Sequence, residues 1–144
     1  VEDRVNYGTL MHAIFAGINT VEDIDNAIED KIFQGKINKA EKELLKQKIS
    51  EIISIPEVKN WFSDEWEVKT ETVFINSKGK YKIPDRVLFG KSKNIVIDFK
   101  FAKPDPEHKK QVKEYMQIIS EIDTKKQVEG YLLYGDEKKI VKVD

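Results

Sequence analysis

Two carboxylates in this sequence stand where apolar strand residues are expected. Asp98 follows Ile95-Val96-Ile97 and precedes Phe99-Lys100-Phe101, inside a run that reads as a strand buried on both faces. Strand side chains alternate, so Asp98 and Lys100 project from one face, roughly 6–7 Å apart. Asp85 lies on the preceding segment, two residues from Ile83 and from Val87, and so shares their face and that of Phe89. A carboxylate on an apolar face is costly unless it is paired or binds a metal. Each has a plain alternative: a salt bridge of Asp85 with Arg86 or a lysine, and a buried Asp98–Lys100 ion pair. Taken alone, Asp85 fits either reading equally. A buried ion pair rarely repays its desolvation, however. Two acidic positions on adjacent strands, with a lysine two residues on, point instead to oxygen ligands for a hard cation beside an ammonium.

These residues need a frame. The first 63 residues read as mainly helical. Leu10, Met11, Ile14 and Phe15 have helical spacing over Gly8 to Ala16. Thr20 with Asp23 predicts a capping-box start to a helix ending at Phe33, and Asn38 with Glu41 opens another to about Ile53. That third helix carries Leu44, Leu45, Ile49, Ile52 and Ile53 on its stripe, and Pro56 starts a short helical turn to Trp61. The period changes at Glu65. Trp66 to Phe74 alternates as a half-buried strand, Asn76-Ser77-Lys78-Gly79 is a turn, and Tyr81 to Phe89 is the returning strand. Pro84 lacks a ladder donor and places this strand at an edge or at a bulge. Ile95 to Lys100 is the third strand; Asp105-Pro106 caps a helix over Glu107 to Ile122; Val128 to Tyr134 and Ile140 to Val143 are the last strands. The expectation is a single α/β domain of the α+β type over 1–144, a helical segment (1–63) before a sheet core with one helix (65–144).

The chain has 144 residues, about the size of one domain, no cysteine and a net charge of −1. Disulfides and thiolate-zinc sites are excluded, and a cytoplasmic location is the natural expectation. No apolar run approaches a membrane span. Only Arg4 and Arg86 are arginines, so base reading through bidentate forks is not expected. A chain starting at Val1 suggests a piece cut from a longer one.

Asp85 followed by Asp98-Phe99-Lys100 resembles the Asp…(Asp/Glu)-x-Lys motif of the PD-(D/E)xK nucleases. Gly8-Thr9-Leu10-Met11-His12 looks like the Gly-x-x-x-His motif that opens RecB- and AddA-like nuclease domains, found at the C-terminus of UvrD/Rep-type helicase-nucleases. Gln111-Val112-Lys113-Glu114-Tyr115 looks like their Gln-x-x-x-Tyr motif, and all these motifs stand in family order. The resemblance implies a restriction-endonuclease-like core, a mixed β-sheet in α-βββ-α-β order with additional N-terminal helices. It implies a deoxyribonuclease of exonuclease mode that hydrolyses phosphodiester bonds in DNA end processing, recombination and repair. His12, Asp85, Asp98 and the carbonyl of Phe99 are its implied ligands for Mg²⁺ or Mn²⁺. Asp85, Asp98 and Lys100 are its implied catalytic residues, with Gln111 and Tyr115 steadying the strand end or the DNA. Phe99 stands where tyrosine is common, which matters little for a carbonyl ligand. Glu71 is better read as a solvated strand residue. Lys103, Lys109, Lys110 and Lys113 are either a local basic patch or a solvated helix face. A helicase domain in the same chain or a partner subunit is the implied partner besides DNA, with no membrane. The alternative is a catalytically silent module of the same fold, for gripping DNA or docking a subunit.

Overall fold

The computed structural model describes residues 4–144, with side chains from Tyr7 onward. Val1, on which the expectation of an excised piece rests, lies outside them. The chain divides into two compact units, Val1–Asp64 and Glu65–Asp144, parting where the hydrophobic period changes.

The first unit is helical: α1 (Arg4–Ala16), α2 (Ile24–Phe33), α3 (Lys42–Ile53) and α4 (Pro56–Trp61). Two helices begin later than predicted, because a single 3₁₀ turn, Val21–Asp23 or Lys39–Glu41, precedes each. Capping boxes hold these turns. Asp23 Oδ2 accepts from the Asn19 and Thr20 N–H groups at 2.9 and 3.0 Å, and Glu41 Oε1 accepts from the Asn38 N–H at 3.1 Å. Ile49, Ile52 and Ile53 are buried on α3, but Leu44, expected on the same stripe, is 73% exposed. Five residues separate Leu44 from Ile49 and put it about 140° around the helix.

The second unit is a mixed five-stranded sheet with one long helix against it. Its strands are β1 (Glu67–Thr70), β4 (Arg86–Phe89), β5 (Lys93–Lys100), β6 (Gln127–Tyr134) and β7 (Lys139–Val143), in the order β1-β4-β5-β6-β7. All pairs are antiparallel except β5 with β6, which are parallel and joined through α5 (Pro106–Ile122). The chain is thus a mixed α+β protein. Asp105 caps α5, its Oδ1 accepting from the Glu107 N–H at 2.9 Å, with Pro106 in the first turn. Val112, Tyr115, Ile118 and Ile119 form the buried side of α5, and Tyr115 and Ile119 pack with Val87 and Val96. The helix lies close because β6 has no side chain at Gly130. A Cβ there would come 2.4 Å from Met116 Sδ and 2.7 Å from Val112 Cγ1.

The two strands predicted as continuous are each broken. Residues 71–73 separate β1 from β2 (Phe74–Ile75), and residues 83–85 separate β3 (Tyr81–Lys82) from β4; β2 and β3 pair as a separate ribbon. The breaks face each other, since the Glu71 N–H donates to the Asp85 carbonyl at 3.3 Å. Pro84 therefore marks neither an edge strand nor a bulge: β4 has partners on both sides, and the proline sits where its ladder has stopped. Ile83 is 44% exposed, so the expected apolar face shared by Ile83 and Asp85 does not exist. Glu71 turns the chain with φ +45°, a left-handed conformation that costs an L side chain about 1 kcal/mol or more. Glu71→Gly is expected to raise stability by about 0.5–1 kcal/mol in urea melts, because the relief outweighs the added freedom of the unfolded chain. A lower midpoint would contradict it. No helix among the described residues is long and apolar enough to cross a membrane.

Candidate metal centre

The break before β4 creates the site. The last β4–β5 pair is Arg86 with Ile97, so beyond it the β5 backbone needs another partner. Asp85 supplies one: its Oδ2 accepts the Phe99 N–H at 2.8 Å. In a strand the N–H and C=O of one residue point to the same side, so the Phe99 carbonyl is also directed toward the Asp85 side.

Asp98 follows on β5, 3% exposed. Lys100 Nζ lies 2.8 Å from its Oδ2. The contact is a buried ion pair, although no well-directed hydrogen bond reaches Oδ2. The ammonium also donates to Gln111 of α5, whose Oε1 accepts from it at 2.8 Å. Burial raises the Asp98 carboxyl most, and the charge and hydrogen bonding of Asp85 raise it further. Lys100 opposes them, and the result is about 7. Tyr115, one turn beyond Gln111, is 6% exposed, and burial followed by the charges of Asp98 and Asp85 pushes its phenol upward. It stays neutral at ordinary pH.

The structure thus gathers Asp85, Asp98, Phe99, Lys100, Gln111 and Tyr115 around one end of β5. His12 belongs to α1 in the helical unit, where it is half-buried. Among the described residues, no group of three or more His, Cys, Asp or Glu side chains gathers as a metal site. Glu71 is exposed, and its main-chain N–H donates to the Asp85 carbonyl.

The oxygen donors present fit a hard divalent cation. A buried carboxylate oxygen without a hydrogen bond, beside a second carboxylate that repels it, is the polar defect a cation repairs. Binding then requires Asp98 to lose its proton. Mn²⁺ affinity is expected to rise about tenfold per pH unit up to about 7 and then level off. Calorimetry between pH 5.5 and 8.5 measures this, and an affinity flat across the range would remove Asp98 from the ligand set.

His108 escaped the sequence reading. It lies on the first turn of α5, three residues before Gln111 and so on the same side of the helix. Its Nδ1 and the Tyr134 hydroxyl share a hydrogen bond of 2.9 Å, and Tyr134 is the register partner of Lys100 on β6. Burial and then the charge of Lys100 lower its pKa, so its ring is neutral near pH 7. His108, Gln111, Lys82, Glu107 and Glu114 line a shallow groove. The spacing of His108 from Gln111 was the available signal; the exposed lysines around it, Lys103, Lys109, Lys110 and Lys113, were more conspicuous.

No protein-family model matches this chain, and no curated protein matches it.

Proposed function

We propose that this chain is a metal-dependent DNA nuclease domain of the PD-(D/E)xK type, with a restriction-endonuclease-like core. One observation carries the reading: Asp85 and Asp98 converge at the end of a central strand with Lys100 beside them, and a buried Asp98 oxygen accepts no hydrogen bond. The sheet order and the parallel β5-α5-β6 crossover are compatible with that core.

Asp85, Asp98 and the carbonyl of Phe99 would hold Mg²⁺ or Mn²⁺, and the resemblance adds His12. When bound, the cation supplies a water of lowered pKa and neutralises charge on the attacked phosphate. Asp85 has a second task, since its bond to the Phe99 amide fixes the strand end that carries the other ligands. Lys100 stabilises negative charge developing on the phosphate. Gln111 holds the ammonium in place, which limits the conformational freedom of a long side chain at the centre. Tyr115 contributes a neutral wall packed on Val87 and Val96. Exonuclease mode, work beside a helicase domain in DNA end processing and repair, and a cytoplasmic setting belong to the same proposal.

End-labelled single- and double-stranded DNA, incubated with and without Mn²⁺, tests it on a gel. Cleavage is expected only with the metal, and weakly, at low salt. A net charge of −1 gives little counterion-release affinity for DNA. Metal-independent cleavage, or none at any salt with Mn²⁺ bound, would overturn the reading.

A further inference from the structure

The β2–β3 ribbon presents an unusual outer face. Ile75 and Tyr81 are register partners, 62% and 65% exposed, and therefore share a face. Val73 and Ile83 flank the ribbon in the two breaks and are 51% and 44% exposed. These four are half of the eight exposed large apolar side chains among the described residues. The other face is occupied: Phe74 packs toward the core beside α5, and Lys82 pairs with Glu114 at 2.7 Å. An outer face of a small antiparallel ribbon is ordinarily polar, so this one calls for an occupant.

Charge indicates which. The segment from Thr72 to Pro84 contains Lys78, Lys80 and Lys82 and no acidic residue, in a chain whose acidic residues outnumber its lysines and arginines 26 to 25. Lys78 and Lys80 make no ion pair among the described residues. Glu121 approaches the turn, taking the Ser77 N–H at 3.4 Å, without pairing either lysine. An exposed aromatic ring flanked by apolar side chains and by ammonium groups without an ion pair suits an unpaired nucleic-acid strand. Bases stack on the ring whatever their sequence, and phosphates meet the lysines. The ribbon also leads straight to the centre, because Ile83 and Pro84 run into Asp85, and Asp85 is bonded to Glu71 on the opposite arm.

We propose that the β2–β3 ribbon grips single-stranded nucleic acid through stacking on Tyr81 and phosphate contacts from Lys78 and Lys80. This rests on the nuclease reading and names the state of the strand delivered to Asp85 and Asp98. A duplex of the same length offers no free base faces and binds less well.

The test is fluorescence anisotropy of a labelled oligothymidylate with the full chain, in EDTA and at low salt so that nothing is cut. Tyr81→Ala is expected to weaken binding about tenfold or more, and Tyr81→Phe to keep it. Lys78→Ala with Lys80→Ala should reduce the salt slope by about 1.4. Circular dichroism confirms that the variants fold, as expected for side chains this exposed. Unchanged affinity in folded Tyr81→Ala overturns the grip, whether or not the chain cuts DNA. So does equal loss of duplex binding, or no oligonucleotide binding by the wild type, which would turn the apolar face over to a protein partner. Loss in Tyr81→Ala together with retention in Tyr81→Phe supports it, even if Mn²⁺-dependent cleavage fails and only the nuclease reading falls.

Discussion

Asp98→Asn is expected to abolish Mn²⁺ binding and cleavage while making the metal-free protein more stable at pH 8. The carboxyl of Asp98 is raised from an ordinary value of 3.8 to about 7, chiefly by burial and then by Asp85. A group with a raised folded pKa is favourable in its protonated form. Its contribution is complete below pH 3.8, declines as pH rises toward about 7, and is gone above that. At 1.4 kcal/mol per pKa unit, the ionised side chain costs the fold on the order of 4 kcal/mol at pH 8. Asparagine keeps the shape without the charge but leaves polar atoms in the same buried place, so a gain on the order of 2 kcal/mol is expected. The gain should be nearly gone at pH 4, where folded Asp98 is neutral and only the unfolded chain still ionises it, about half. Asp98→Ala should also lose the metal and cleavage. Urea melts in EDTA at pH 4 and pH 8, with Mn²⁺ calorimetry at pH 8, measure both effects. Undiminished Mn²⁺ affinity in either variant would sink the proposed centre.

Lys100→Met separates the catalytic role of the ammonium from a structural one. If Lys100 serves only to neutralise Asp98, its loss leaves a carboxylate unpaired on a buried strand, at a cost of about 3 kcal/mol or more. The geometry argues otherwise. The ammonium is 2.8 Å from Asp98 and also donates to Gln111 at 2.8 Å, so neutralising Asp98 is not its one task. With a cation neutralising Asp98, the variant should keep its metal affinity and most of its melting temperature. Cleavage should fall roughly 10²-fold or more, the scale for removing one preorganised charge stabiliser. Thermal melting and nuclease rate are measured together in the same Mn²⁺ buffer. A variant that melts far lower yet cuts normally when folded would make Lys100 structural.

Both expectations concern residues visible in the linear chain, and the reason is chemical. A charged residue inside Ile95 to Phe101 contradicts its surroundings, and period-two alternation puts Lys100 on the same side without further information. Capping residues and prolines act over three or four positions, so the helices, the cap at Asp105 and the change of period at Glu65 were legible too. What could not be read depended on partners distant in sequence. Nothing local announces that Glu71 adopts φ +45° and meets Asp85 across a hairpin, dividing two continuous alternating runs into sheet and ribbon. That break turns Asp85 from an expected face residue into the cap of the Phe99 amide. The crossover decided the rest. Parallel pairing of β5 and β6 places Tyr134 beside Lys100 and lays α5 over Gly130, which brings Gln111 to the ammonium and His108 to Tyr134. The sequence alone determined which residue types could do chemistry and on which strand they ride. Only long-range pairing, whose energy comes from contacts between segments that carry no mark of each other, decided which of them meet.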